Sequence, residues 1–246
     1  MPENFSWFMY IPAIGHNHEL LAVAHSWLVV AVLTIMALLA TGKIKRVTPE
    51  SSSADLIPED RVTVRNIFDF YTEKILGMMS GLLGDSAPRY FWLIGTLFIY
   101  ILVSNLLGLI PGLLPPTDNI NNNLAMGVFV FVTYHVVGVK EQGLGAYLKH
   151  FAGPVLWLAP LMVVVELISH CVRPVTLAIR LFGNINGDHI VLGIFSQLIP
   201  EVFSQYLGLL IPVFFLVLGM FVAFVQAFVF SLLSVVYISM AEAHAH

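Results

Sequence analysis

The chain has 246 residues, 58% of them hydrophobic and only 11% charged, where a soluble domain is about a quarter charged. So few charges cannot cover a water-facing surface, which excludes an ordinary soluble domain and leaves most of the outside facing lipid. The net charge of −4 argues against nucleic acid as a partner, and the single cysteine, Cys171, excludes an intramolecular disulfide and any cysteine-based metal cluster.

In chain order, residues 1–19 form a short N-terminal segment without lysine or arginine. That lacks the basic region of a secretory signal, so the first apolar stretch is expected to be retained. A span needs roughly 20 mostly apolar residues, and residues 20–42 supply the first. The stretch Val47–Asp60 is a Pro/Ser-rich linker. Residues 61–84 then change character: Val64, Ile67, Phe68, Tyr71, Ile75, Met78, Met79, Leu82 and Leu83 recur at helical spacing. Arg65, Asp69, Thr72 and Glu73 take the other face. The pattern predicts an amphipathic helix, lying either on the cytoplasmic leaflet or on a partner. Residues 90–110 and 120–139 are the second and third spans, and residues 154–200 are a fourth that carries charges. Residues 202–240 form the fifth. Val202–Ala241 contains no Asp, Glu, Lys or Arg and would be about 60 Å long as one helix, so it is either a long tilted helix or a tight apolar hairpin. The predicted fold class is an all-α integral membrane protein with five membrane-spanning helices and one amphipathic interfacial helix.

Charge sets direction. Of the eleven lysines and arginines, seven fall between Lys43 and Arg89, and Lys140 and Lys149 flank the next loop. The remaining two, Arg173 and Arg180, lie inside the fourth span. Positive charge collects in cytoplasmic loops, so the N-terminus is expected outside and the C-terminus in the cytoplasm.

Ionisable groups at membrane depth are costly and usually mark ion pathways or paired structural groups. Glu166, Arg173 and Arg180 are each seven residues apart. Successive members are therefore offset by only about 20° around a helix, in steps of about 10 Å, and Asn184 shares the Arg180 face. The guanidinium of Arg180 stays protonated in proteins. It is a permanent cation with no carboxylate within two turns on its own face, so its partner is expected on another helix or another chain. Arg173 precedes Pro174, where a kink is expected. Glu166 lies nearest the cytoplasmic end, where pairing with Arg173 is its simplest structural use. Gly183 and Gly187 would let another helix approach closely. On the last span, Gln226 and Tyr237 share a face, and the buried amide needs partners, for which Arg180 and Asn184 are the candidates.

Two motifs on the last spans carry a resemblance. RPVTLAIRLFGNINGDHI (Arg173–Ile190) and QAFVFSLLSVVYISMAEAH (Gln226–His244) resemble the signatures of the a-subunit family of F-type ATP synthases. SNLLGLIPG (Ser104–Gly112) resembles the end of an earlier span in that family. The resemblance implies a subunit of the bacterial inner membrane, standing in lipid beside a ring of c subunits and held by peripheral-stalk b subunits. The resemblance also implies that the last two spans are long and tilted. Two offset half-channels would lead to the ring carboxylates. Arg180 matches the essential arginine, which forces ring carboxylates to release protons and blocks a short circuit. Asn184, His189 and Gln226 match the inlet and Glu166 the cytoplasmic outlet; Arg173, Asp188 and Tyr237 complete the candidate proton pathway. Some relatives carry a carboxylate where His189 stands, a histidine where Gly219 stands and an aspartate where Gly108 stands, which leaves His189 and Asp188 as rival relays. The chain is expected to bind no nucleotide and no cofactor and to have no catalytic site of its own. It would act as a component of the H⁺-transporting ATP synthase.

Two other classes fit parts of the pattern. A haem-binding electron carrier would use His25, His135, His170 and His189, but no matched pair of histidines is spaced for it. A secondary transporter would use Arg180 for an anionic substrate, but there is no internal repeat of the kind such folds carry.

Overall fold

The computed structural model describes residues 6–10, 18–41, 63–110, 112–151, 158–198 and 210–243. Among them there is no strand. Seven α-helices follow one another: α1 (His18–Thr41), α2 (Val64–Leu83), α3 (Ala87–Leu107), α4 (Ile120–Gln142), α5 (Leu144–Phe151), α6 (Ala159–Leu198) and α7 (Leu210–Ala243). Short 3₁₀ turns occupy Trp7–Tyr10, Gly84–Ser86 and Pro116–Asp118. Five helices are long and apolar enough to cross a membrane, α2 and α3 counting as one run. The uncharged C-terminal stretch is a helix of 34 residues from Leu210 rather than a hairpin, and α6 has 40 residues. At 1.5 Å per residue these helices are about 50 and 60 Å long, well beyond a hydrocarbon core of about 30 Å.

Local chemistry explains the helix ends. Thr63 caps α2 by accepting from the Asn66 amide, and Asn119 caps α4 by accepting from the Asn121 amide. Gly143 ends α4 at φ 79°, in the left-handed region that side chains rarely adopt, and its amide closes on the Val139 carbonyl. The chain turns there into α5, a helix the sequence reading left as loop. Tyr147 on α5 is buried against Gly138, where an added Cβ would stand 2.5 Å from the tyrosine ring. Burial raises the Tyr147 phenol above its ordinary range, so it stays neutral at physiological pH.

In lipid, helices associate through packing and small residues rather than the hydrophobic effect. The core joins Leu93, Ile94 and Ile101 of α3 to Val130 and Tyr134 of α4, Leu177 and Leu181 of α6, and Phe230, Val235 and Ile238 of α7. The closest pairs are α4 with α6 and α3 with α7, and α4 also packs on α7, whereas α6 and α7 meet only sparingly. Gly127 makes the α4–α6 approach possible, since a Cβ there would lie 2.7 Å from the Pro174 carbonyl oxygen. Helix α2 is amphipathic and packs on this same chain. It buries Ile75, Met79 and Leu83 and bonds the Tyr71 hydroxyl to the Gly95 carbonyl, while Ile67, Phe70 and Leu82 stay exposed.

The helix ends form two sets. At one end Gln142 donates to the Ala241 carbonyl at 2.9 Å, Ser239 to the Leu82 carbonyl at 2.9 Å, and Arg89 pairs with Glu141 at 2.9 Å. At the other, the Trp7 amide meets the Gly112 carbonyl at 3.1 Å, Ser6 meets His25 at 3.2 Å, and Thr117 donates to Asn105 at 2.6 Å.

Candidate functional site

The polar face of α6 turns as it climbs. His170, Pro174, Leu177, Ala178, Leu181 and Ile185 are buried, while Val172, Val175, Thr176, Ile179, Arg180 and Gly183 are exposed. Two stripes at helical spacing thus divide the helix between the core and the outside. Arg180 belongs to the outward stripe, more than halfway along α6. Among the described residues it makes no hydrogen bond and no ion pair. Gln226 is buried, with 3% of its surface exposed, and makes no direct bond to Arg180; its other expected partner, Asn184, has its side chain outside the described residues. Gly183 and Gly187 have open space where a Cβ would stand, so among the described residues no helix uses them for close approach. The side chains of Asn184, Asp188 and His189 lie outside the described residues; their backbone continues α6.

Nearer its N-terminal end, α6 meets a polar cluster. Glu166 does not pair with Arg173. Its carboxylate takes the Nε2 of His170, one turn on, at 3.1 Å, and the His170 Nδ1 lies 2.9 Å from the Tyr134 hydroxyl on α4. Arg173 stacks over the Tyr237 ring of α7 at 5.1 Å, a cation–π contact that bridges two helices with few other contacts. Tyr134 and Tyr237 lie 6.1 Å apart, and the rings of His135 and His170 are 5.2 Å apart. These two histidine rings pack directly on each other, leaving no room for a macrocycle between them. Among the described residues no three His, Cys, Asp or Glu converge on a metal position. Three candidates named from the sequence, Glu166, Arg173 and Tyr237, are thus brought together. Tyr134 and His170 join them: His170 stands four residues from Glu166 on the same helix, a spacing that signals the pair, while Tyr134 comes from α4 with no signal in the sequence.

The other end holds an open cleft of about 320 Å³ lined by Leu21, Ala22, Leu114, Pro115, Asp118, Asn119, Ile120 and Phe182. It brings the α1 start and the 114–120 turn against α6, two residues beyond Arg180.

Residues 23–239 match the family model described as ATP synthase A chain. The chain belongs to this family. An ATP synthase subunit a from Bdellovibrio bacteriovorus is 41% identical over 243 residues, covering 99% of this chain and all of the relative. ATP synthase subunit a 2 from Syntrophotalea carbinolica is 45% identical, covering 91% of the chain and 86% of the relative. ATP synthase subunit a from Trichlorobacter lovleyi is 44% identical, covering 91% and 88%.

In this chain, the glycines at the two departures sit in occupied space. A Cβ at Gly219 would lie 2.6 Å from the Leu109 side chain, and one at Gly108 would lie 2.8 Å from Pro115. Neither site leaves a void where a larger polar side chain could stand without displacing a neighbour.

Proposed function

We propose that this chain is the proton-translocating subunit of an ATP synthase membrane sector, with Arg180 presented to the carboxylates of a rotating c-subunit ring. The observation that carries the reading is the outward, unpartnered guanidinium on a stripe of otherwise apolar and small residues. A permanent cation at membrane depth needs an anionic or polar partner, and none is provided inside the chain among the described residues. A ring carboxylate about 4 Å away would be favoured in its ionised form by about 4 kcal/mol at an effective dielectric near 20. A protonated carboxylate arriving at Arg180 would then lose its proton and regain one after passing. Because Arg180 cannot give up its own proton, it would also block a direct leak.

Two offset half-channels follow. Glu166, with Arg173 and Tyr237, would border the cytoplasmic outlet. Asn184, Asp188, His189 and Gln226 would border the inlet from the outer side, which the cleft beside Phe182 supports. The subunit would sit in a bacterial inner membrane with its N-terminus outside and its C-terminus inside. The grouping of helix ends supports that direction: segments assigned to the outer side by their lack of basic residues meet at one end, and those next to the basic loops meet at the other. Peripheral-stalk b subunits would hold the chain against the turning ring. Helices longer than the membrane is thick must tilt or project, and tilt would let α6 and α7 follow the ring's curve.

Disulfide trapping tests this placement. In a Cys171→Ser background, Ile179→Cys and Gly183→Cys should each cross-link to a cysteine placed beside the ring carboxylate, and Trp27→Cys on α1 should not. Cross-linking from Trp27→Cys with none from the α6 positions would reverse the assignment of faces.

A further inference from the structure

We propose that His170 is a proton relay of the cytoplasmic half-channel, passing protons between Tyr134 and Glu166. The inference rests on the reading of Glu166 as the cytoplasmic outlet. It starts from the bonding of one ring. An ionised carboxylate only accepts hydrogen bonds, so the 3.1 Å contact with Glu166 makes Nε2 the protonated nitrogen of the neutral imidazole. Nδ1 is then the acceptor, and the Tyr134 hydroxyl, 2.9 Å away, donates to it. Both ring nitrogens are engaged, in one direction: hydroxyl to Nδ1, Nε2 to carboxylate.

Exposure gives that direction a destination. Tyr134 is 2% exposed, the His170 side chain 11% and the Glu166 side chain 35%. The chain of bonds therefore runs from the α4–α6 core to the surface within one turn of α6. A proton reaching the Tyr134 oxygen displaces the hydroxyl proton onto Nδ1. The imidazolium releases its Nε2 proton to the Glu166 carboxylate, which passes it to water. Only O–H and N–H bonds form and break, one proton enters and one leaves, and the ring is left as its Nδ1–H tautomer; loss of the Nδ1 proton to water and uptake of one from water at Nε2 restore the first tautomer. ATP hydrolysis would drive the same steps in reverse.

The groups facing this ring are Glu166 and Arg173 on α6 and Tyr134 and His135 on α4. One layer further out, Tyr147 of α5 packs on His135 and Tyr237 of α7 lies under Arg173. Arg173 is a permanent charge and cannot be a link in the relay. His135 is tied through Nδ1 to the Phe131 carbonyl of its own helix at 2.8 Å. His170 is the imidazole bonded on both sides to groups that exchange protons.

The test uses the complete ATP synthase in vesicles, and the same vesicles stripped of the catalytic head for passive flux. His170→Ala should lower proton flux about tenfold and erase a step in its dependence on cytoplasmic-side pH. Added imidazole should restore flux. Tyr134→Phe, which removes only the hydroxyl, should lower flux without rescue by imidazole. Wild-type flux and an unchanged pH profile in His170→Ala would overturn the relay. So would a loss that keeps the pH step and ignores imidazole, because that is the mark of a packing role. If His170→Ala fails to assemble, Tyr134→Phe decides: wild-type flux overturns the proposal and reduced flux with full assembly supports it. Arg180→Ala separates the two layers. If it still pumps, the half-channel reading itself falls; if it is inactive while the His170 and Tyr134 variants behave as wild type, only the relay falls.

Discussion

Gly127 and Pro174 show how single residues position the site. The Pro174 carbonyl lies so close to Gly127 that any side chain there must push α4 and α6 apart, and the same helix pair sets the distance between Tyr134 and His170. Overpacking a close contact costs about 1–3 kcal/mol. Gly127→Val is therefore expected to lower the thermal midpoint of the purified complex. Gly77→Ala on α2, where nothing stands within 4 Å, should leave it unchanged or raise it. Sequence reasoning found Gly183 and Gly187 because they stand four apart on a charged span, yet the chain uses Gly127, which has no such signal. It also left Glu166 with Arg173 as its simplest partner, where the structure has His170. The causes differ: His170 stands four residues from Glu166, a pairing that within-helix spacing does carry, whereas Gly127 depends on how two helices meet. Spacing within a helix reports which residues share a face, and says nothing of the register between two helices.

At the scale of elements, apolar runs were enough to reveal five long helices, because a membrane span must satisfy its backbone internally and so is continuous. Helix α5 escaped notice because eight residues are too few to show a period and its neighbours are polar. The length of α7 was legible from the absence of charge over Val202–Ala241, whereas α6 carries Glu166, Arg173, Arg180 and Asp188 and its length was expected from the family resemblance. Direction was read from lysine and arginine counts, and labelling can test it. In a Cys171→Ser background, Tyr10→Cys and Leu144→Cys, both at exposed positions, should react with a membrane-impermeant thiol reagent from opposite sides. Tyr10→Cys should react from outside and Leu144→Cys from the cytoplasm. Reaction of both from one side would break the five-span topology.

For the whole molecule, the arrangement separates two jobs on one helix. One stripe of α6 meets the core, where His170, with Glu166 and Arg173 beside it, reaches Tyr134 of α4 and Tyr237 of α7. The opposite stripe is exposed and carries Arg180, with no partner among the described residues. The motif around Arg180 was legible in the sequence; that its side chain points away from the chain's own helices was not, since the rotation of α6 depends on packing at Pro174. The account's central claim is that this charge couples ion flow to rotation, and the direct measurement is ATP-driven proton pumping into inverted vesicles by the assembled Arg180→Ala complex. Leu177 and Leu181 still pack without the guanidinium, so assembly should persist. Pumping is predicted to fall to background while the subunit content of the complex stays that of the wild type. Pumping at the wild-type rate would contradict the account and make Arg180 a structural residue.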